Sequence, residues 1–269
     1  MRVDDPGLSA VLRQLRRRGG AGCEWYKPAC LARRIEIRMR ARGVDTLAGY
    51  AGLLTRDRAE ADRLLHTISV RVTGFFRDPE TWRRLRELLA DAARGRERLS
   101  GWSMGCSTGE EAWSLAMLFL AAARCTGSPP ESMIRVDGSD IDEQALAIAR
   151  RGSYPASAAR SVGDLLGEPF GTVEGSQFRV STGVQARVTF RREDLTKTLR
   201  VADRHDLVCC RNLLIFLGRE GQRRVLEAAV RSLRPGGLLV LGKTESLAAL
   251  PAGDLSPVDS IHRVYRRAG

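Results

Sequence analysis

From Ser100 onward the chain alternates short apolar runs with stretches of helical periodicity, and this alternation leaves few folds open. Strands are expected at Ser100–Met104, Ile134–Ser139, Val188–Arg191, Asp206–Cys210, Leu238–Gly242 and Ile261–Arg266. Helices are expected between them at Glu110–Arg124, Asp142–Arg150 and Arg219–Leu233. Strands separated by helices of this length pair in parallel, because the crossover consumes the helix, so the sheet is covered on both faces. Residues 152–187 exceed what a helix-to-strand connection needs, and the alternating Gln177-Phe178-Arg179-Val180 within them predicts a small antiparallel excursion.

The first 70 residues read differently. Leu8, Val11, Leu12 and Leu15 recur at helical spacing, as do Leu31, Ile35 and Met39 within Lys27–Arg42. Further helices are expected at Leu47–Leu54, Arg58–Ser69 and Pro79–Ala93. The reading divides the chain into a helical part, 1–70, and an α/β part, 71–269, with 152–187 inserted in the latter. The longest nearly apolar stretch, Leu115–Ala123, is far below the ~20 residues of a membrane span. The N-terminus has no apolar core of a secretion signal, and a cytoplasmic location is the expectation.

Charge is uneven. Of 44 basic residues only three are lysines, and residues 1–98 hold 22 bases against 13 acids, a net +9 of the overall +12. A basic front part suits a polyanionic partner, although an arginine-rich coding habit would give the same excess. On the Lys27–Arg42 helix, Arg34, Arg38 and Arg42 fall on one stripe beside Arg33 and Arg40. Six cysteines form no C-x-x-C pair and three histidines are scattered, so neither a zinc site nor a Cys–His nucleophile is expected.

Ligands of an open parallel sheet bind beyond the carboxyl ends of its strands. Four such ends are informative here. The first carries Gly105-Cys106-Ser107-Thr108-Gly109 followed by Glu110-Glu111, which is not the G-x-G-x-x-G of a dinucleotide site. Two carboxylates in the first helical turn would repel a phosphate but not an amino group or a sulfonium. The competing reading is structural: Ser107 with Glu110 and Thr108 with Glu111 have capping-box spacing. Asp140 ends the second strand and suits a ribose diol, and Asp194-Leu195 follows the third, where it could meet an adenine edge. Asn212-Leu213 ends the fourth, beside Arg211, which could instead be structural. An adenosine pocket without a phosphate site is what S-adenosyl-L-methionine requires.

These residues resemble the chemotaxis receptor glutamate O-methyltransferases, the CheR family. The matching segments are Thr73-Gly-Phe-Phe-Arg-Asp-Pro79, Gly105–Glu111 with Trp113-Ser114, and Ser139–Asp142 with Gly152-Ser-Tyr154. Cys210–Phe216, Leu233–Gly237 and Leu241–Ser246 follow in the same order. The resemblance implies a class I, Rossmann-like S-adenosylmethionine-dependent methyltransferase sheet with an N-terminal helical domain and a small inserted antiparallel β-subdomain. It implies a cofactor pocket formed by Arg71, Thr73, Arg77, Glu110 or Glu111, Asp140, Asp194, Leu195, Asn212 and Leu213, beside Gly105 and Gly109 of the glycine turn read above. It further implies acidic methylation helices of a chemoreceptor as substrate, presented to Arg33, Arg34, Arg38, Arg40 and Arg42, and in some members a receptor tail peptide at the β-subdomain. Three positions depart from the family pattern: Arg71 and Asp194 replace asparagines, and Phe216 replaces a tyrosine close to the expected transfer point. Asn212, Arg211 and Phe216 are the residues expected around the reacting atoms.

A carboxylate is already anionic at neutral pH, so its methylation needs no general base, in keeping with a site without histidine. Phe75 and Phe76 are expected in the core. A cofactor-binding scaffold of low turnover stays open on the strength of Arg71 and Phe216. RNA methylation is disfavoured: aromatics are 6% and do not interleave with the basic stretches, and no nucleic-acid partner or membrane insertion is expected.

Overall fold

The computed structural model describes residues 5–17, 25–68, 73–167, 169–197, 205–250 and 253–268. Five helices come first: α1 (Pro6–Arg17), α2 (Pro28–Ala41), α3 (Leu47–Arg56), α4 (Arg58–Ile68) and α5 (Pro79–Ala93). Proline opens α1, α2 and α5, where its missing N–H costs nothing. Thr46 caps α3 by accepting from the Gly49 N–H at 3.1 Å. The apolar stripes of α1 to α4 close on one another in a small core of Leu8, Val11, Leu15, Leu31, Ile35, Tyr50, Leu54 and Leu64.

A seven-stranded sheet follows. Its strands are β1 (Leu99–Met104), β2 (Ile134–Asp140), β6 (Val188–Arg192), β7 (His205–Cys210), β8 (Leu233–Leu241), β9 (Leu255–Asp259) and β10 (Val264–Arg267), in the order β6-β2-β1-β7-β8-β10-β9. β1 pairs in parallel with both β2 and β7, so the strand order reverses there and a crevice opens at their carboxyl ends. β10 runs antiparallel to β8 and β9. The helices α6 (Glu110–Thr126), α7 (Glu143–Arg151) and α10 (Arg219–Ser232) cover the faces. Residues 112–123 of α6 are all buried, which explains why this helix is the longest apolar run in the sequence.

Between α7 and β6 lies a three-stranded antiparallel sheet of β3 (Ser153–Pro155), β4 (Gly171–Glu174) and β5 (Gln177–Val180), with helices α8 (Ala158–Leu166) and α9 (Thr182–Gln185). It is anchored through aromatic side chains. Phe75 meets Tyr154 and Phe178 edge-on at 5.0 and 5.6 Å. The Tyr154 hydroxyl donates to the Thr108 carbonyl at 2.6 Å and accepts from Trp113 Nε1 at 2.8 Å. Phe75 and Phe76 are buried, as their sequence context suggested.

Three details differ from the sequence reading. α8, α9 and β9 were not anticipated, because short segments on a subdomain and at a sheet edge carry few periodic positions. β8 begins at Leu233 rather than Leu238: the Arg234–Gly237 segment is an irregularity inside the strand, with Leu233 paired to His205 and Leu238 to Leu207. The last strand begins at Val264, and Ile261 sits exposed in the turn before it.

Candidate functional site

The crevice at the strand ends holds two cavities that share Gly105, Ser107 and Asn212. The larger, about 730 Å³, is lined by Asp140, Ile141, Glu193, Asp194, Leu195 and Thr196 on one side and by Leu213, Phe216, Leu217 and Val225 on the other. Tyr26 and Ile68 close it from the helical part. The smaller, about 440 Å³, is lined by Thr73, Gly74, Arg77, Trp82, Cys106, Glu111 and Arg211.

Asp140 organises the first wall. Its carboxylate accepts from the Ser107 N–H at 2.8 Å and from the Asp142 N–H at 2.9 Å, tying the glycine turn after β1 to the end of β2. The Gly105 and Cys106 N–H groups both donate to the Ser139 carbonyl, which completes the link. Burial raises the Asp140 carboxyl above its usual range, against the pull of those N–H donors. The Asp142 carboxylate caps α7 through the Gln144 and Ala145 N–H groups and stands 3.3 Å from His66 Nδ1 of α4, a contact between the helical and α/β parts. A second contact is main-chain: Lys27 N–H donates to the Phe216 carbonyl and Gly218 N–H to the Trp25 carbonyl.

The wall of the smaller cavity is a buried ion cluster. Arg211, 5% exposed, donates to Asp78 at 2.8 Å, to the Arg77 carbonyl at 3.0 Å and to Glu111 at 3.4 Å. Glu111 also accepts from the Ser103 hydroxyl. Burial raises the Glu111 carboxyl, and the Arg211 charge and the Ser103 hydroxyl oppose that rise. Burial likewise lifts the thiols of Cys106, Cys209 and Cys210 well above their ordinary value, so all three are poor nucleophiles.

The structure gathers Thr73, Arg77, Gly105, Glu111, Asp140, Asp194, Leu195, Arg211, Asn212 and Leu213 around the two cavities. Arg71 lies outside the described residues. Gly109 and Glu110 line neither cavity. Gly109, at φ +97°, serves close packing: a Cβ there would stand 2.7 Å from Ala149 Cβ. Glu110 turns to the Thr108 hydroxyl at 2.7 Å, and its carboxyl is raised by burial. The capping-box alternative fails as well, since no side chain caps α6. Phe216 lines the larger cavity and not the smaller. The chain turns into a single 3₁₀ turn at Leu214–Phe216 and carries it toward Tyr26.

The docking stripe is corrected too. Arg38 binds Glu60 through two nitrogens at 2.9 and 2.6 Å, and Arg42 reaches Asp57 at 3.1 Å and Glu60 at 3.7 Å. The Glu60 side chain is fully buried, and an uncompensated carboxylate there would be costly, so Arg38 is committed to it, while Arg42 pairs with Asp57 and Glu60 from an exposed position. Arg33 and Arg40 stay on the exposed face with Ile37, and Arg34 is half-buried.

Several lining residues escaped the sequence reading: Ser107, Glu193, Thr196, Tyr26 and Ile68. Glu245 also escaped it; its carboxylate, 3% exposed, accepts three backbone N–H groups behind Asn212. Two of these had a sequence signal: Ser107 in the Gly105–Glu111 segment and Glu245 in the Leu241–Ser246 segment.

S-adenosylmethionine fits what is present. Ser107 Oγ and Asp194 Oδ2 are buried at the larger cavity without a hydrogen-bond partner, although the Lys197 ammonium stands 3.8 Å from the latter. Asp140, Glu193 and Asp194 offer acceptors to hydroxyl and amine donors, and the only arginines in the two linings, Arg77 and Arg211, belong to the smaller cavity. That donor set suits an adenosine with a cationic tail and not a nucleotide phosphate.

Comparison with known proteins agrees. The family model described as CheR methyltransferase, SAM binding domain, matches residues 71–257, and the one described as CheR methyltransferase, all-alpha domain, matches residues 6–69. An uncharacterized 104.1 kDa protein of the hypE 3′ region in Rhodobacter capsulatus is 36% identical over 90% of this chain, which spans 25% of that protein. Chemotaxis protein methyltransferase 2 of Pseudomonas aeruginosa is 30% identical over 88% of this chain and 85% of its own length. A probable biofilm formation methyltransferase, WspC, of Pseudomonas putida is 34% identical, the match covering 87% of this chain and 55% of that one.

Proposed function

The chain belongs to the CheR methyltransferase family, and we propose that it methylates glutamate side-chain carboxylates of a chemoreceptor, forming methyl esters that adapt chemotaxis signalling. The observation that carries the reading is the pair of joined cavities, one with adenosine-type acceptors and the other walled by Thr73, Arg77, Glu111 and Asn212.

S-adenosylmethionine, when bound, supplies a methyl group on a sulfonium. Asp140 and Glu193 are assigned to the ribose hydroxyls, Asp194 and Leu195 to the adenine, and Thr73, Arg77 and Glu111 to the amino-acid end. Asn212, which lines both cavities, and Leu213, which lines the larger, are assigned to orienting the incoming carboxylate. Arg211 supports that wall through Asp78 and Glu111 rather than by touching the substrate. No residue needs to take a proton, because the attacking carboxylate is ionised at neutral pH. Holding the sulfonium methyl and the carboxylate in line is what the site contributes, and positioning of this kind is worth about 7–11 kcal/mol.

Docking is assigned to the exposed face of α2, where Arg33, Ile37 and Arg40 offer two cations and an apolar contact to an acidic amphipathic helix. The test is transfer of labelled methyl to receptor fragments. Base-labile carboxyl methyl esters are expected, and label on RNA or none at all would refute the reading.

A further inference from the structure

The segment after β8, Gly242 to Glu245, takes part in neither cavity lining, yet it holds the junction of the two. The Glu245 carboxylate accepts from the Asn212 N–H at 2.8 Å and the Gly242 N–H at 2.7 Å through one oxygen, and from the Leu214 N–H at 2.7 Å through the other. A short turn closes the segment: the Glu245 N–H donates to the Gly242 carbonyl at 2.9 Å. Asn212 sits at φ +58°, a conformation that asparagine tolerates but that needs outside support to persist. Gly242 has no room for a side chain: a Cβ would lie 2.6 Å from the Glu245 carboxylate and 3.0 Å from the Asn212 nitrogen. Next to it, Lys243 stands 3.4 Å from Asp78, the acid that also binds Arg211. One four-residue segment therefore grips both the backbone of Asn212–Leu214 and the ion cluster beside it.

We propose that Glu245 is a positioning residue for the methyl transfer, fixing the Asn212–Leu214 backbone so that Asn212 keeps its place in the wall shared by the two cavities and Leu213 its place in the wall of the larger one. The inference rests on the reaction proposed above. A carboxylate bound to three N–H groups is a strong and directional anchor, because each bond is charge-assisted. Glutamine at 245 keeps the volume but presents an amide NH₂ to one of those N–H groups, and the loop must shift to avoid it. A shift of even 1 Å at reacting groups costs roughly 100-fold in rate. The docking face on α2 is untouched, so receptor capture is unaffected.

Glu245→Gln is expected to weaken S-adenosylhomocysteine binding in calorimetry by roughly 10-fold or more and to lower kcat for receptor methylation by roughly 10- to 100-fold, with KM for the receptor fragment unchanged. A purely structural role would lower the melting temperature and leave both readouts, taken well below the melt, within twofold of wild type; that result overturns the proposal. Should Glu245→Gln lose its circular dichroism, Gly242→Ala decides by the same criteria, since its Cβ displaces the same carboxylate. If wild type binds S-adenosylhomocysteine but methylates no receptor, the proposed reaction fails, and the affinities of the two variants still judge Glu245.

Discussion

Replacing Arg38 by alanine separates a docking arginine from a structural one. Arg38 gives two hydrogen bonds to Glu60, whose side chain is fully buried and whose other support is the Tyr50 hydroxyl at 2.8 Å. Removing one partner of a buried pair costs about 3–5 kcal/mol, because the remaining charge is stranded. Three features reduce that figure: the Arg38 side chain is 18% exposed, and Arg42 and Arg63 stand 3.7 and 3.8 Å from the same carboxylate. An expected loss of about 2–3 kcal/mol follows. At about 2–4 °C per kcal/mol for a chain of this size, the melting temperature should drop by roughly 4–12 °C.

The pH dependence has a definite sign. Burial alone would raise the Glu60 carboxyl, but the bonds from Arg38 and Tyr50 and the nearby Arg42 charge outweigh it and hold the group below its ordinary value. Stability from a depressed carboxyl is present above the unfolded-state pKa and is lost as pH falls through the folded one. The gap between wild type and Arg38→Ala should therefore be full near neutrality and shrink below about pH 4. Calorimetric melts across pH measure this directly. A variant that melts within 1 °C of wild type yet captures receptor fragments poorly would refute the inward assignment of Arg38.

The double variant Arg33→Ala/Arg40→Ala should behave in the opposite way, with an unchanged melt, weaker receptor binding and a flatter salt dependence of that binding. Asp140→Ala removes the acceptor that joins the glycine turn to β2 and is expected to lower S-adenosylhomocysteine affinity at least about 10-fold; an unchanged calorimetric Kd sinks the ribose assignment. Ser107→Ala should cost almost nothing in the melt, since its hydroxyl has no partner, while cofactor affinity falls by up to about 10-fold.

The alternation of apolar runs and helical periods after Ser100 already specified a parallel sheet, because strand spacing and apolar pattern are local properties that the chain writes directly. The same holds for the strand-end acceptors Asp140 and Asp194, which topology alone places at the crevice. Glu111 over Glu110 was not legible, for adjacent helical residues point about 100° apart and only the packed helix shows which one reaches the cavity. Arg38 and Arg42 share a stripe with Arg34 in the sequence, and only the arrival of the buried Glu60 on a separate helix pairs both with an acid of the chain itself. Phe216 stands near the transfer point only through the family resemblance, and the 3₁₀ turn that contains it sets it in the larger cavity, which it shares with Asn212. Glu245 holds Asn212 across 33 residues, a relation that exists only after β7 and β8 have paired. Residue types and periods are thus carried by the sequence, whereas the pairing of a buried charge depends on which element arrives beside it.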